Sequence, residues 1–490
     1  MSGTDDRIFP RDGNLIGGEI MPSASGERFD VFNPATGALL AGAAESGPAD
    51  VDRAVAAAVA AGPAWAAVPA RERGRLVAAG AVRIVSLREP LARLLAKETG
   101  KAIRTECRPE VITAADILNF YAGLASELKG ETLPFRPDLL SVTTREPLGV
   151  VAAILPWNVP LVLMMLKIGP ALVAGNTVVV KSAEEAPFAT LEAARLLAEL
   201  LPAGVLNVLS GDGPGCGQPL VDHPNVAKVT FTGSQPVGET IYASAARKII
   251  PVSLELGGKS PMIVMADADL DKAVPGAVAG MRFTRQGQSC TAASRIYVHE
   301  DIADRFIERL EAAVRALKMG DPLDEATDIG TVISPEQMAR IDHYVAIGKQ
   351  TPGARTILCG EPLAAGAFDP ALFAVPTLFI DMPEHSPLMR EEIFGPVACI
   401  VRWHNYEAMM QAANDSEFGL AASVWTNDLS VALDATRRIN AGYVQVNQNL
   451  TIQPNLSYGG FGKSGLGKEA SLEAMLEHFT RKKTIVFAAA

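Results

Sequence analysis

The stretch Gly287-Gln288-Ser289-Cys290 sets a thiol among small and polar residues, and Thr291, Ala292 and Ala293 follow it. A cysteine bound for an inert core is normally flanked by apolar side chains, as Cys399 is in "PVACIVRW". The residues around Cys290 read instead as an accessible turn entering a helix. Backbone amides and the helix dipole at such a place lower a thiol's pKa and bind an oxyanion formed beside it. A nucleophilic thiol also needs a base. The six histidines, at 223, 299, 343, 385, 404 and 478, sit in polar or surface-like contexts, which argues against a Cys/His hydrolase. Glu255, in "SLELGGKSP" between Leu254 and Leu256, is the better candidate. It is either an ordinary charge at a strand end or a carboxyl in an apolar site, where its pKa rises and suits it to activating water.

Other polar residues fall at the ends of apolar runs. Asn158 closes "PWN" after a buried strand, Lys181 and Glu184 follow "VVVKSAEE", and Ser234 follows "FTGSQPVG". An asparagine in a turn commonly caps its own backbone. Here, three strand ends presenting Asn, Lys/Glu and Gly-Ser point to the crevice at the carboxyl ends of an α/β sheet, where ligands bind. The run "GDGPGCG" at 211–217 lacks the G-x-G-x-x-G spacing and reads as a loop.

The elements that must position these groups follow from periodicity. Three alanine-rich amphipathic helices occupy the first third: "ADVDRAVAAAVAAG", with Asp50 as its N-cap, "ARERGRLVAAGAVRIVSL" and "RPEVITAADILNFYAGLASEL". From Gly149, the strands "GVVAAIL", "NTVVVKS", "VLNVLSG", "AKVTFTG" and "VSLEL" alternate with helices, which implies a mainly parallel sheet covered on both faces. A second α/β series starts near Gly258 with "SPMIVM", "ASRIYVHEDI", "TLFIDM", "VACIVRW", "ASVWT" and "YVQVN". Strand-like segments at 131–147 and in "RKKTIVFAAA" stand outside both series and present edges that need partners. The uncharged stretch from Pro147 to Leu166 has the length of a membrane span, yet Pro156, Trp157, Asn158 and Pro160 interrupt it. It reads better as a buried strand, a turn and a buried helix.

Composition bounds the partners. The 490 residues are 48% hydrophobic and 20% charged, with net charge −11, which suits a globular chain of several domains and disfavours nucleic acid. The five cysteines are odd in number and lack C-x-x-C spacing, so no structural metal is expected and a reducing compartment is. No basic and then apolar leader opens the sequence, so the expected location is the cytoplasm, with no membrane partner.

Taken together and in order, "FNPATG" (32–37), "TTREPLGVV" (143–151), "PWN", "KSAE", "FTGSQPVG", "ELGGKSP", "GQSC", "EEIFGPV" and "YGGFGKSGLGKE" (458–469) resemble the motif set of the NAD(P)-dependent aldehyde dehydrogenase superfamily. The resemblance covers essentially the whole chain. It implies that Cys290 attacks an aldehyde, that Asn158 and the Cys290 amide hold the oxyanion, and that Glu255 activates water to release an acid, with Glu469 as a second carboxylate relaying its proton. It further implies that Lys181 and Glu184 contact the adenosine ribose of the cofactor and Ser234 its pyrophosphate, while Glu392 contacts the nicotinamide ribose, Phe394 packs nearby and Trp157 borders it. Glu184 would repel a 2′-phosphate, so NAD is expected over NADP.

The same alignment makes Val159, Leu163, Leu166, Ser289, Thr291 and Tyr458 the expected substrate tunnel. Small aliphatic residues at 159 and 166 leave a wider apolar passage. The segment 447–457 carries no Lys or Arg, so the expected substrate is a medium-to-large uncharged aldehyde, aliphatic or aromatic. The implied fold is α/β. A Rossmann-type NAD-binding domain takes 1–130 and 148–257, an α/β catalytic domain 258–445, and a β-strand oligomerisation arm 131–147 and 479–490; 446–478 is an anchor loop returning to the first domain. A homodimer or homotetramer follows from the arm. Two alternatives stay open. A relative that transfers the acyl group to coenzyme A would commonly lack the carboxylate at 255, and a non-catalytic descendant of the fold would be free to lose Cys290, Asn158 or Glu255.

Overall fold

Five Val/Ile-rich runs pair as parallel strands, side by side in the order Leu206–Leu209, Thr177–Lys181, Val150–Ile154, Val226–Thr232 and Val252–Glu255. The structure is a computed structural model and describes residues 12–364, 368, 370–449 and 452–488. Most of the N-terminal segment read for a leader, two residues of 447–457 and the last two of the C-terminal strand lie outside the described residues. Antiparallel edges extend the sheet to eight strands: Asn14–Ile16 and Glu19–Met21 on one side, Gly465–Leu466 on the other.

The chain leaves Val150–Ile154 toward one edge and later returns through Val226–Thr232 toward the other. Strand order therefore reverses between these two neighbours, which opens a crevice at their carboxyl ends. Helix Pro160–Ala174 covers one face, with all fifteen residues buried. The interrupted apolar stretch is thus strand, turn and buried helix. Among the described residues no single helix is long and apolar enough to cross a membrane.

The second series forms a seven-stranded sheet in the order Arg355–Leu358, Thr377–Ile380, Val397–Trp403, Arg295–His299, Pro261–Val264, Ala421–Trp425 and Tyr443–Val446, parallel except at the first pair. Leu139–Pro147 lies between Thr132–Arg136 and Thr480–Ala488 in a three-stranded antiparallel sheet, with Thr480 opposite Pro147 and Ala488 opposite Leu139. The two outlying segments therefore satisfy one edge of each other within the chain. Leu133, Phe135, Leu140, Val486 and Phe487 remain exposed there.

Two local expectations need correction. The first helix runs Pro48–Ala67 with Gly47 as N-cap, because Pro48 already fits the first helical turn. Asp50 sits in that turn, and its carboxylate accepts the Gly47 and Ala24 amides at 3.1 and 2.9 Å. The run 211–217 is not an open loop: Gly213–Gly217 forms a wide helical turn opened by the Asp212 carboxylate.

Trp65, fully buried, joins the first helix to the helix at 160–174, its indole N–H donating to the Leu172 carbonyl at 3.2 Å. Trp65→Ala is expected to destabilise the protein by about 3–5 kcal/mol, the cost of emptying a large core site, measured by urea unfolding.

Candidate active site

The carboxyl ends of the first sheet's strands face the amino ends of the second sheet's strands. Asn158 leaves Val150–Ile154 by the turn "PWN", Lys181 ends Thr177–Lys181, Ser234 follows Val226–Thr232, and Glu255 ends Val252–Glu255. From the other sheet, Cys290 precedes Arg295–His299 and Glu392 precedes Val397–Trp403. The reading of 287–293 as a helix entrance does not hold. These residues form turns that run into strand Arg295–His299, so Cys290 does not sit at the start of a helix of its own.

A cavity of about 180 Å³ is lined by Cys290, Asn158, Val159, Leu163, Ser289, Thr291 and Tyr458 among others. Leu166, expected with them, is buried in the core and does not line it. The helical turn carries Leu163 to the cavity and rotates Leu166 away.

Cys290 is half-buried, with Sγ 3.5 Å from the Tyr458 hydroxyl. Burial pushes its pKa up to about 11; Tyr458 and Arg285 pull the other way, while Glu392 and Glu255 push it further up. At rest it is a neutral thiol. The Asn158 side chain is buried and donates one amide N–H to the Gln288 carbonyl at 3.2 Å. An amide has two such hydrogens, so one remains for the cavity.

Behind the thiol loop lies Glu255, buried, with no hydrogen-bond partner on either carboxylate oxygen among the described residues. Burial, then the neighbouring Glu469, holds its pKa well above the carboxylate range, against Lys167 and Lys468. Glu469 is itself buried and takes Lys167 Nζ at 2.7 Å. The two glycines after Glu255 have steric reasons. A Cβ on Gly257 would stand 2.3 Å from Glu392 Oε2, and one on Gly258 would stand 2.5 Å from the Cys290 carbonyl.

The dinucleotide-type crevice has matching groups. Lys181 Nζ meets Glu184 Oε2 at 2.8 Å. Ser234 opens helix Gln235–Lys248 with a side chain that makes no cap hydrogen bond, leaving hydroxyl and helix-start amides for an anion. Glu392 accepts the Gly258 amide at 3.0 Å, and burial raises its pKa to about 7. Phe394 stands edge-on to Trp157, with ring centres 5.3 Å apart.

Several site-forming residues were missed from sequence. Lys167 has a visible signal, being the lone charge in an apolar helix. Lys101 and Glu110 form a buried ion pair. Lys101 Nζ also donates to the Asn158 carbonyl at 2.7 Å, and Glu110 Oε1 accepts the Leu161 amide at 2.9 Å. The pair thus grips both ends of the turn bearing Asn158. Arg282 and Arg285 line the cavity, and nothing in their sequence spacing marks them as doing so.

A doubly wound sheet, a second α/β layer and a cavity holding Cys290, where the carboxyl ends of the first sheet meet the amino ends of the second, define an α/β fold. A family model described as the aldehyde dehydrogenase family matches residues 20–485. The chain belongs to the aldehyde dehydrogenase family, oxidoreductases that act on aldehydes. Solved structures agree over nearly the full length. An NAD+ complex of an aldehyde dehydrogenase from Bacillus cereus is 34% identical, covering 100% of this chain and 99% of that one, with a TM-score of 0.95. An E. coli enzyme described as NADP dependent is 36% identical, covering 99% and 100%, with a TM-score of 0.94. PnpE from Pseudomonas sp. WBC-3 is 36% identical, covering 98% of each chain, with a TM-score of 0.94.

Removing one partner of the Lys101–Glu110 pair strands the other charge, so Lys101→Met is expected to cost about 3–5 kcal/mol. The double variant Lys101→Met, Glu110→Leu should regain most of that stability. It should not regain aldehyde turnover, because the Asn158 turn has lost both grips; thermal unfolding and kcat on the same preparations check this.

Proposed function

We propose that the protein is an NAD-dependent aldehyde dehydrogenase that forms a covalent intermediate on Cys290 and releases a carboxylic acid. The observation carrying this is Cys290 and the Asn158 amide in one cavity, with the unpartnered carboxyl of Glu255 buried behind them. Cys290 Sγ bonds to the aldehyde carbon as its proton passes to solvent, which reaches the half-buried thiol; the C=O π pair moves onto oxygen, and the free Asn158 N–H and the Cys290 amide hold the resulting oxyanion. When bound, the oxidised dinucleotide supplies the hydride acceptor that makes the adduct a thioester. Lys181 and Glu184 would hold its ribose, the Ser234 helix start its pyrophosphate, and Glu392 with Phe394 and Trp157 its nicotinamide end. Glu255 then takes a proton from water, which attacks the thioester and frees the acid and the thiol. Glu469, paired with Lys167, is the next acceptor for that proton.

The cavity beside Val159 and Leu163 suits a medium-to-large aldehyde. The domain boundaries of this proposal are those expected from sequence; in their support, the strands from Val150–Ile154 to Val252–Glu255 share one sheet, those at Pro261–Val264, Arg295–His299, Val397–Trp403, Ala421–Trp425 and Tyr443–Val446 share another, and Gly465–Leu466 returns to the first. The exposed apolar residues and free edges of the three-stranded sheet support a homodimer or homotetramer arm. Five unpaired cysteines support a reducing cytoplasm.

NADH formation separates the readings. Cys290→Ala should abolish oxidation while dinucleotide binding survives. Glu255→Gln should give a burst of NADH near one per site followed by little turnover; normal steady turnover would mean another base. Oxidation seen only with added coenzyme A would favour acyl transfer, and none with any aldehyde, NAD or NADP would favour a non-catalytic descendant. For cofactor choice, Glu184→Ser should raise kcat/KM with NADP relative to NAD, by about tenfold if one charge repulsion near 1.4 kcal/mol is lost.

A further inference from the structure

The walls of the Cys290 cavity carry charge that the segment 447–457 does not supply. Glu106, Glu110, Arg282 and Arg285 all line it. Three of them are paired. Arg285 donates to Glu106 Oε2 through Nε and Nη2 at 2.8 and 2.5 Å, the Thr284 hydroxyl takes the other oxygen, and Glu110 is held by Lys101. Arg282 is different. Among the described residues its guanidinium makes no ion pair and no hydrogen bond.

A guanidinium offers five N–H donors and stays charged at any physiological pH. Leaving it unpartnered on a cavity wall is unfavourable, and burial, then the nearby Arg285, lowers its pKa while Glu106 opposes. The backbone holds it there under further strain. Arg282 ends helix Leu270–Met281 with φ 58°, a left-handed conformation that side chains rarely adopt. Counting Lys101, Arg282 and Arg285 against Glu106 and Glu110 leaves one positive charge, and it belongs to Arg282.

We propose that Arg282 binds a carboxylate on the far end of the substrate, so that the aldehydes oxidised are carboxy-aldehydes and the products dicarboxylates. The proposal rests on Cys290 as the nucleophile of the same cavity. A carboxylate matches the planar fork of the guanidinium with two parallel hydrogen bonds. Glu106 and Glu110, already neutralised by their partners, do not cancel that attraction. This departs from the uncharged aldehyde expected from sequence, because 447–457 contributes only part of the wall, through Asn449 and Ile452.

The test compares kcat/KM for 4-carboxybenzaldehyde and 4-methylbenzaldehyde, substrates of similar shape, with the full chain and NAD. The unaltered enzyme should prefer the carboxylate by about 10- to 100-fold, the worth of a charge-assisted hydrogen-bond pair. Arg282→Met should erase the preference and Arg282→Lys should keep part of it. Equal kcat/KM values in the unaltered enzyme, or a preference that survives Arg282→Met, would overturn the carboxylate site and leave aldehyde oxidation standing. Oxidation of neither substrate, with NAD or NADP, would overturn both. Product-like inhibition of the unaltered enzyme gives a reading free of any variant's folding. Terephthalate should inhibit at least about tenfold more tightly than 4-methylbenzoate, and equal inhibition counts against the site.

Discussion

The ion pair between Lys167 and Glu469, both buried and 2.7 Å apart, fixes the geometry on which the site depends. Removing two charges from water costs several kcal/mol each unless they meet each other closely. Lys167 is the lone charge of helix Pro160–Ala174, so that helix can bury completely only if a carboxylate reaches it. Glu469 does so from a segment 302 residues later in the chain. That segment is held in place by main-chain bridges and by a bond to a side-chain hydroxyl. Gly465 pairs with Glu255, Tyr458 with Glu469, and the Ala470 amide donates to the Tyr121 hydroxyl. The same return path brings Tyr458 against Cys290 and Glu469 against Glu255. One buried charge requirement thus ties the C-terminal segment to both parts of the chemistry.

The strand ends supply the rest, and these were legible. Alternating Val/Ile runs and helices marked both α/β layers, and the residue types at 158, 181, 234 and 255 pointed to the carboxyl ends of the first sheet's strands, where these residues lie. Patterns of period two and near four carry that information because they report which face is buried. The resemblance to the aldehyde dehydrogenase superfamily rested on the same strand-end motifs.

What failed depended on three-dimensional context. The polar run after Gly287 looks like a helix start, yet the chain is already committed to strand Arg295–His299, and small residues serve a tight turn equally well. Leu166 carries the right residue type for a tunnel but lies on the wrong side of its helix. Arg282 and the Lys101–Glu110 pair were invisible for a different reason. A charged residue in a polar segment looks solvated, and only packing reveals that its partner is inside or that it has none.

Under the proposed mechanism, the electrostatics of the site favour one negative charge at a time. A charged Glu255 raises the pKa of Cys290, and by the reciprocity of coupled sites an ionised sulfur makes Glu255 harder to ionise. The resting thiol and the thioester are both neutral and exert no such repulsion, so the conflict arises only as Cys290 gives up its proton to attack. A Glu255 held neutral by burial, and secondarily by Glu469, avoids the conflict at that step. When water has to be activated, Glu255 ionises against the same burial, and Lys167 and Lys468, which oppose Glu469, ease that ionisation.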